Sequence, residues 1–156
     1  MLWLSQWLVL GTIFVSLTFS TPLVASQSMN QQDIQILIEK AKDAWVAQDV
    51  DAIAQLFTID GELIVPGQCW RGQERIREGL ANFKEQYSDV KIYIHRIIIG
   101  ANQAGANQAA VEWYYEDTEK ATGRRNKADD VIVVDFKDNQ ISRWREYFDT
   151  QTPTNK

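Results

Sequence analysis

The chain has 156 residues, of which 45% are hydrophobic, and it carries a formal net charge of −5 at pH 7. This composition excludes an intrinsically disordered chain, and an acidic balance without a basic stripe argues against nucleic acid as a partner. The length fits one compact domain built around a single core.

The N-terminal segment differs from the rest of the chain. Its first 28 residues contain no Lys, Arg, Asp or Glu, and the first charged side chain is Asp33. An apolar run from Leu2 to about Phe19, followed by small residues, is typical of a secretory signal, although its length also approaches the roughly 20 residues of a membrane-spanning helix. We predict an exported protein, whether periplasmic, lumenal or secreted, that touches a membrane only if this segment is not cleaved. The predicted parts are a signal peptide or anchor (1–28), a folded domain (30–150) and a short polar tail (151–156).

Three helices are predicted in the first half of the folded domain. Apolar residues recur there at helical spacing, and Asp49 or Asp51 can cap the second helix. A brief strand, Glu62 to Val65, is expected to stop at Pro66 and Gly67. The predicted helices run from Asn30 to Gln48, from Asp49 to Phe57 and from Gly72 to Tyr87.

After Ser88 the apolar pattern changes to period two, which predicts an antiparallel meander of four strands. The order of elements indicates an α+β domain whose helices cover one face of a strongly curved sheet. The predicted strands run from Val90 to Ile99, Ala109 to Asp117, Val131 to Phe136 and Ile141 to Phe148.

The first strand of this meander, KIYIHRIII, contains apolar residues on both faces. Strict alternation places Ile92, Ile94 and Ile98 on one face, and Tyr93, Ile97 and Ile99 on the other. A sheet that is apolar on both sides needs cover on its outer face, so we expect a homodimer through that face.

Alternation also sorts the polar residues of the other strands. In the last strand Trp144, Glu146 and Phe148 share one face, and the arginines lie on the other, where their charges reach water more easily. Asp117 likewise shares a face with Trp113 and Tyr115, and Asp130 with Ile132, Val134 and Phe136. Three carboxylates are therefore predicted among apolar neighbours.

Such carboxylates lose hydration, which raises the pKa, and a second carboxylate nearby raises one of the two further. Groups of this kind can hold a proton near neutral pH and transfer it. The alternative is structural: each acid is hydrated at a strand end or hydrogen-bonds a Tyr or Trp.

Neither His95 nor Cys69 has a second ligand in the pattern, so we expect no metal and no cofactor, a packed His95 and a half-buried Cys69.

Three segments carry a resemblance to a known family. They are AQDVDAIAQLFTIDGELIVP, WRGQERIREGL and the closing ISRWREYFD. The chain resembles the SnoaL-like branch of the nuclear transport factor 2-like superfamily from about Asp33 to Asp149. The resemblance implies a cone-shaped curved antiparallel sheet wrapped by three N-terminal helices, with an apolar pocket open at one end. It also implies dimers through the outer sheet face. The family includes polyketide cyclases, limonene epoxide hydrolase, ketosteroid isomerase and non-catalytic binding domains, so the fold alone names no reaction.

The catalytic groups of the two best-known enzymes carry over only in part. The closing motif resembles that of limonene epoxide hydrolase, with Glu146 at the position of a catalytic Asp. The Arg and second Asp of that enzyme fall on Trp113 and Tyr115, so its relay is not expected here. The isomerase base falls on Val65, and its two other groups fall near Ala41 and Ile132, which does not favour that mechanism either.

The sequence predicts an exported domain that binds a small apolar molecule in an acid-lined conical pocket. Proton transfer there would be isomerisation, cyclisation or hydrolysis, with Glu146 as lead acid or base, Asp130 and Asp117 assisting, and Tyr115 donating to an oxyanion. Whether the chain is an enzyme stays open, since a ligand carrier of the carotenoid or lipid type and a dimeric interaction module fit as well. The predicted ligand-binding aromatics are Trp45, Trp70, Trp113, Trp144 and Phe148.

Overall fold

The computed structural model describes residues 29–102 and 105–148. The predicted signal or anchor segment and the polar tail lie outside these ranges. None of the helices within them is both long and apolar enough to cross a bilayer. The helices are α1 (Gln31–Ala47), α2 (Val50–Gln55) and α3 (Gln73–Gln86). The strands are β1 (Phe57–Val65), β2 (Gln68–Arg71), β3 (Tyr87–Asn102), β4 (Gly105–Glu119), β5 (Arg125–Lys137) and β6 (Gln140–Phe148).

The strands form one sheet in the order β2-β1-β6-β5-β4-β3. All neighbours pair antiparallel except β1 and β6, which pair parallel, so the curved sheet is mixed. The helices pack on one face, and the core between them and the sheet includes Ile34, Leu63, Ile76 and Val111, each fully buried. This arrangement confirms the predicted α+β fold of a curved sheet covered by three N-terminal helices.

Local signals fix the ends of the first two helices. The side chain of Asn30 accepts a hydrogen bond from the backbone N–H of Asp33 at 2.9 Å, which satisfies a free donor of the first turn of α1. Gln48 ends α1 in the left-handed conformation, with φ +48°. Asp49 caps α2 by accepting from the backbone N–H of Ala52 at 3.0 Å. Of the two candidate caps for α2, the structure therefore selects Asp49.

The sequence prediction missed β2 and made β1 too short. Val65 and Gln68 are register partners, so Pro66 and Gly67 form a two-residue turn rather than a stop. Gly67 has φ +83°, a conformation that a residue with a side chain rarely adopts. Cys69 was predicted to be half-buried, and this is wrong: it lies on edge strand β2 and is exposed.

The prediction that β3 is apolar on both faces is also wrong in part. Its register on β4 shifts between Ile94 and Arg96, so one extra residue is inserted at His95. After this bulge Ile97 and Ile99 return to the helix-facing side, where they pack against the core. Tyr93 and Ile98 stay on the outer face, 58% and 49% exposed.

The edge of the sheet packs against α3 through a close contact between Trp70 and Gly79. A Cβ atom built on Gly79 would lie 2.3 Å from Cε2 of the Trp70 indole, well inside the contact distance of real atoms. Gly79 is therefore needed for space rather than for an unusual backbone angle. The glycine allows the indole to lie flat against the helix.

We expect Gly79→Ala to destabilise the protein by roughly 1–3 kcal/mol, because the new methyl group must displace the indole. In a Trp70→Ala background the same change should instead stabilise by about 1 kcal/mol, the ordinary gain of alanine over glycine in a helix. Urea denaturation of the four proteins gives the coupling free energy between the two sites. Equal effects of Gly79→Ala in both backgrounds would contradict this account.

Candidate functional site

The last strand places Glu146 on the helix-facing side of the sheet, as predicted. The indole Nε1 of Trp144, itself 1% exposed, donates a hydrogen bond to Oε1 of Glu146 at 2.8 Å. The arginines point outward: Nε of Arg143 donates to Glu62 at 2.9 Å, and Arg145 donates to the Tyr147 hydroxyl at 3.1 Å. Glu146 is only partly buried, so it lies within the apolar face near solvent.

Asp130 is held in a similar way one strand further along the sheet. It is the register partner of Trp113, whose indole Nε1 donates to its Oδ2 at 3.1 Å. The residue is 5% exposed, and its other oxygen, Oδ1, has no hydrogen-bond partner in the described part of the chain. Two inward carboxylates are thus each held by an indole N–H.

Asp117 has a different environment. Its Oδ2 accepts from the Tyr115 hydroxyl at 2.9 Å, and its Oδ1 accepts from the amide Nδ2 of Asn126 at 2.7 Å. Both oxygens of this carboxylate, which is 4% exposed, therefore have donors. The Tyr115 hydroxyl donates to Asp117, so its predicted use as an oxyanion donor requires that this bond be released.

Sequence reasoning missed Asn126, because it lies between the predicted strands that end at Asp117 and begin at Val131. In the structure it belongs to β5 and is the register partner of Asp117. The signal that would have identified it is its spacing of four residues from Asp130, which places both side chains on the same face of the strand.

The inward acids have raised pKa values. Burial raises the pKa of Glu146 to about 7, aided by the charge on Asp130 and opposed by the hydrogen bond from Trp144. Burial likewise raises the pKa of Asp130 to about 6, opposed by the hydrogen bond from Trp113. Burial and the neighbouring carboxylate of Asp117 raise the pKa of Tyr115, so its hydroxyl keeps its proton. Glu146 and Asp130 can thus each release or take up a proton near neutral pH.

The acids of the outer face show the opposite behaviour. Hydrogen bonds from Tyr114 and Arg125 lower the pKa of Glu116 to about 2. Glu62, between Arg71 and Arg143, also has a lowered pKa. Among the described residues, by contrast, no ion pair involves Asp117, Asp130 or Glu146. The carboxylates of the two faces therefore differ in their partners, which are basic side chains on the outer face and neutral donors on the inner face.

Three of the five predicted ligand-binding aromatics lie beside the acids. The rings of Trp113 and Trp144 are 5.4 Å apart between centroids, and Phe148 is the register partner of Asp130. The other two lie elsewhere. Trp45 packs edge-on against Phe83 at 5.9 Å, and Trp70 packs on α3.

Two concavities of the described chain lie away from the acid cluster. One, about 410 Å³, is an open groove along α1 beside Ile36, and the other, about 10 Å³, lies between Trp45 and Phe83. His95, predicted to be packed, is exposed. In the described part of the chain no three His, Cys, Asp or Glu side chains are grouped so that they could hold a metal ion.

Comparison with solved structures shows the same architecture in proteins of low sequence identity. A putative polyketide cyclase from Xanthomonas campestris superposes with a TM-score of 0.66 at 20% identity, covering 79% of this chain and 95% of that one. An LEH-like epoxide hydrolase from Mycobacterium tuberculosis gives a TM-score of 0.63 at 22% identity, covering 76% of this chain and 84% of that one. A ketosteroid isomerase-like protein from Catenulispora acidiphila, in complex with trimethylamine, gives 0.67 at 15%, covering 78% and 88%. At these identities the likeness shows the fold alone.

Sequence comparison gives the family directly. No curated protein matches the chain significantly. The model of the SnoaL-like domain matches residues 38–144, which span α1 to the tryptophan beside Glu146. This match extends over more than half of the sequence, and the six-stranded curved sheet agrees with it. The chain belongs to the SnoaL-like domain family.

Proposed function

We propose that this domain binds a small, largely apolar molecule on the helix-facing side of its sheet and that Glu146 exchanges a proton with it. The observation that carries the proposal is the pair of inward carboxylates, Glu146 and Asp130, with pKa values of about 7 and about 6. A group that is half protonated near the working pH serves as acid or base with nearly equal ease. The neighbouring indoles are buried, so the partly exposed ring of Phe148 supplies the apolar surface beside Glu146.

The division of roles follows from the two environments. Glu146 is partly exposed and has the higher pKa, so it is the group that can reach a ligand and give up or take a proton. Asp130 is nearly fully buried and ionises first, and its charge keeps the proton on Glu146. Asp117, with donors on both oxygens, holds Tyr115 in place.

The reaction class is proton transfer during isomerisation, cyclisation or hydrolysis. A protein described as a putative polyketide cyclase and an LEH-like epoxide hydrolase are among the structural neighbours, which is consistent with such chemistry on this fold. A ligand carrier of the carotenoid or lipid type is the second candidate. It is favoured by Trp113 and Tyr115, which occupy the positions where the resemblance to limonene epoxide hydrolase would require charged relay groups. Export of the domain is part of the proposal and rests on the charge-free first 28 residues.

The variant Glu146→Gln tests the proposed proton transfer. Mass spectrometry of an organic extract of the native protein should identify the co-purifying molecule, which then serves as the substrate. The variant should keep the fold and bind this molecule within a few-fold of the wild type, because the amide still accepts from Trp144. It should lose at least about a hundredfold in turnover, the usual contribution of general acid–base catalysis.

Glu85→Gln is the matched control, since Glu85 is an exposed acid on α3. It should leave turnover and affinity unchanged. Turnover in Glu146→Gln equal to that of the wild type would refute the proton-transfer role. A bound molecule that even the wild type leaves unaltered would favour the carrier.

The raised pKa of Glu146 also predicts a pH dependence of stability. Because the folded state holds this proton more tightly than the unfolded chain, the free energy of unfolding should fall as the pH rises from about 5 through 7. Glu146→Gln removes the titrating group, so it should match the wild type near pH 4 and exceed it by roughly 1–3 kcal/mol near pH 8. Urea denaturation at both pH values measures the difference. An equal difference at both would contradict the assignment.

Homodimerisation through the outer sheet face completes the proposal. Tyr93, Ile98, Val131 and Tyr147 are each between 41% and 58% exposed on this face, and the ion pair of Arg96 with Glu112 lies among them. A surface that combines apolar groups with both signs of charge can pair with itself about a two-fold axis.

Ile98→Glu should therefore shift the protein to monomer in sedimentation velocity experiments, because it places a charge within the proposed interface. Ile36→Glu is the matched control, since Ile36 is 45% exposed on α1 and Ile98 is 49% exposed on the sheet. The control should remain dimeric. A wild-type monomer, or equal effects of both substitutions, would exclude this interface.

A further inference from the structure

The oxygen Oδ1 of Asp130 can accept a hydrogen bond from a ligand. The residue is 5% exposed, and this oxygen has no donor among the described residues, although its twin accepts from Trp113 at 3.1 Å. A buried acceptor without a donor is destabilising, because it has lost its hydration and gained no hydrogen bond in return. Buried polar atoms of native proteins are nearly always paired, so an unpaired one needs a reason. A ligand that brings a hydrogen-bond donor to this oxygen would supply it.

The charges around this oxygen indicate which kind of donor a ligand would bring to it. Glu146 and Asp130 occupy diagonal positions on adjacent strands, since Glu146 is the partner of Ile132 and Asp130 is the partner of Phe148. The charge on Asp130 raises the pKa of Glu146, so the two carboxylates interact electrostatically. Their donors within the described chain are neutral indole N–H groups. With both acids ionised, the site carries two negative charges and no described positive one.

The aromatic surroundings favour the same kind of ligand. Trp113 and Trp144 lie with their ring centroids 5.4 Å apart, beside the two acids. Indole rings attract cations through the negative charge of their faces. Hydrogen bonds from a charged donor to a carboxylate are about twice as strong as neutral ones.

From this juxtaposition of an unpaired buried carboxylate oxygen, a second carboxylate and two indoles, we infer that the ligand carries a protonated amine. Its ammonium group donates to Oδ1 of Asp130 next to the buried rings of Trp113 and Trp144, and its apolar body extends past Glu146 and Phe148, which are partly exposed. The inference rests on the proposed function and specifies its ligand class. When such a cation is bound, it favours the ionised forms of both acids, so Glu146 would then act as a base.

The test compares two molecules of the same shape and different charge. Cyclohexylammonium and cyclohexanol share a six-membered ring and differ in whether the polar group is charged. Isothermal titration calorimetry at about pH 8, with indole fluorescence as a second readout, gives both affinities. We expect the full-length protein to bind cyclohexylammonium at least about tenfold more tightly than cyclohexanol.

Adjacent residues of β5 provide a matched pair of variants. Asp130→Asn keeps an oxygen to accept from Trp113 but removes the charge from the inner face. Asp129→Asn removes the same charge from the exposed residue next to it, which points to the outer face. The preference for cyclohexylammonium should disappear in Asp130→Asn and persist in Asp129→Asn. Circular dichroism checks that both variants are folded.

The outcomes separate this inference from the proposed function. Equal binding of the two molecules, unaffected by Asp130→Asn, would overturn the amine and leave a site for neutral apolar ligands. Equal losses in Asp129→Asn and Asp130→Asn would overturn it too, because they would show only attraction to an acidic protein. Binding of neither molecule also counts against the amine, whereas the turnover of Glu146→Gln judges proton transfer separately.

Discussion

Two indole N–H groups determine the chemical character of the inner face. The bonds from Trp144 to Glu146 and from Trp113 to Asp130 are neutral, so they orient the carboxylates without compensating their charge. Glu116 shows the alternative on the outer face, where hydrogen bonds from Tyr114 and from the charged Arg125 lower its pKa to about 2. Had basic side chains reached the inner acids, those acids would be permanently charged and could not hold a proton near pH 7.

The orientation of these acids could be predicted because it depends on one short-range rule. Side chains alternate along a strand, so Trp144 and Phe148 fix the direction of Glu146, and Trp113 fixes that of Asp117. The bulge at His95 could not be predicted in this way, because a one-residue insertion leaves no mark on a strand rich in β-branched residues. Pairing with β4 decides it, and that information lies elsewhere in the chain.

Other features depended on tertiary contacts that no local pattern encodes. Trp45 and Trp70 look like Trp113 in the sequence, yet one packs on Phe83 and the other on Gly79. Asn126 was missed because β5 begins earlier than its hydrophobic run suggests. The family could be recognised from three segments, but a fold shared by cyclases, hydrolases and binding domains leaves the activity to the site itself. The geometry of that site is therefore more informative than the resemblance.

The parallel pairing of β1 with β6 has a consequence for the order in which the molecule can assemble. Leu63 and Trp144 are register partners, although one lies in the first strand and the other in the last. Because β6 lies between β1 and β5, the sheet of a nascent polypeptide has a gap until β6 has been synthesised. Contacts so distant in sequence form slowly, since the intervening loop must first be closed. Glu146 therefore meets Asp130 within the local hairpin of β5 and β6, whereas the pairing of Trp144 with Leu63 must wait for the closure of the whole sheet.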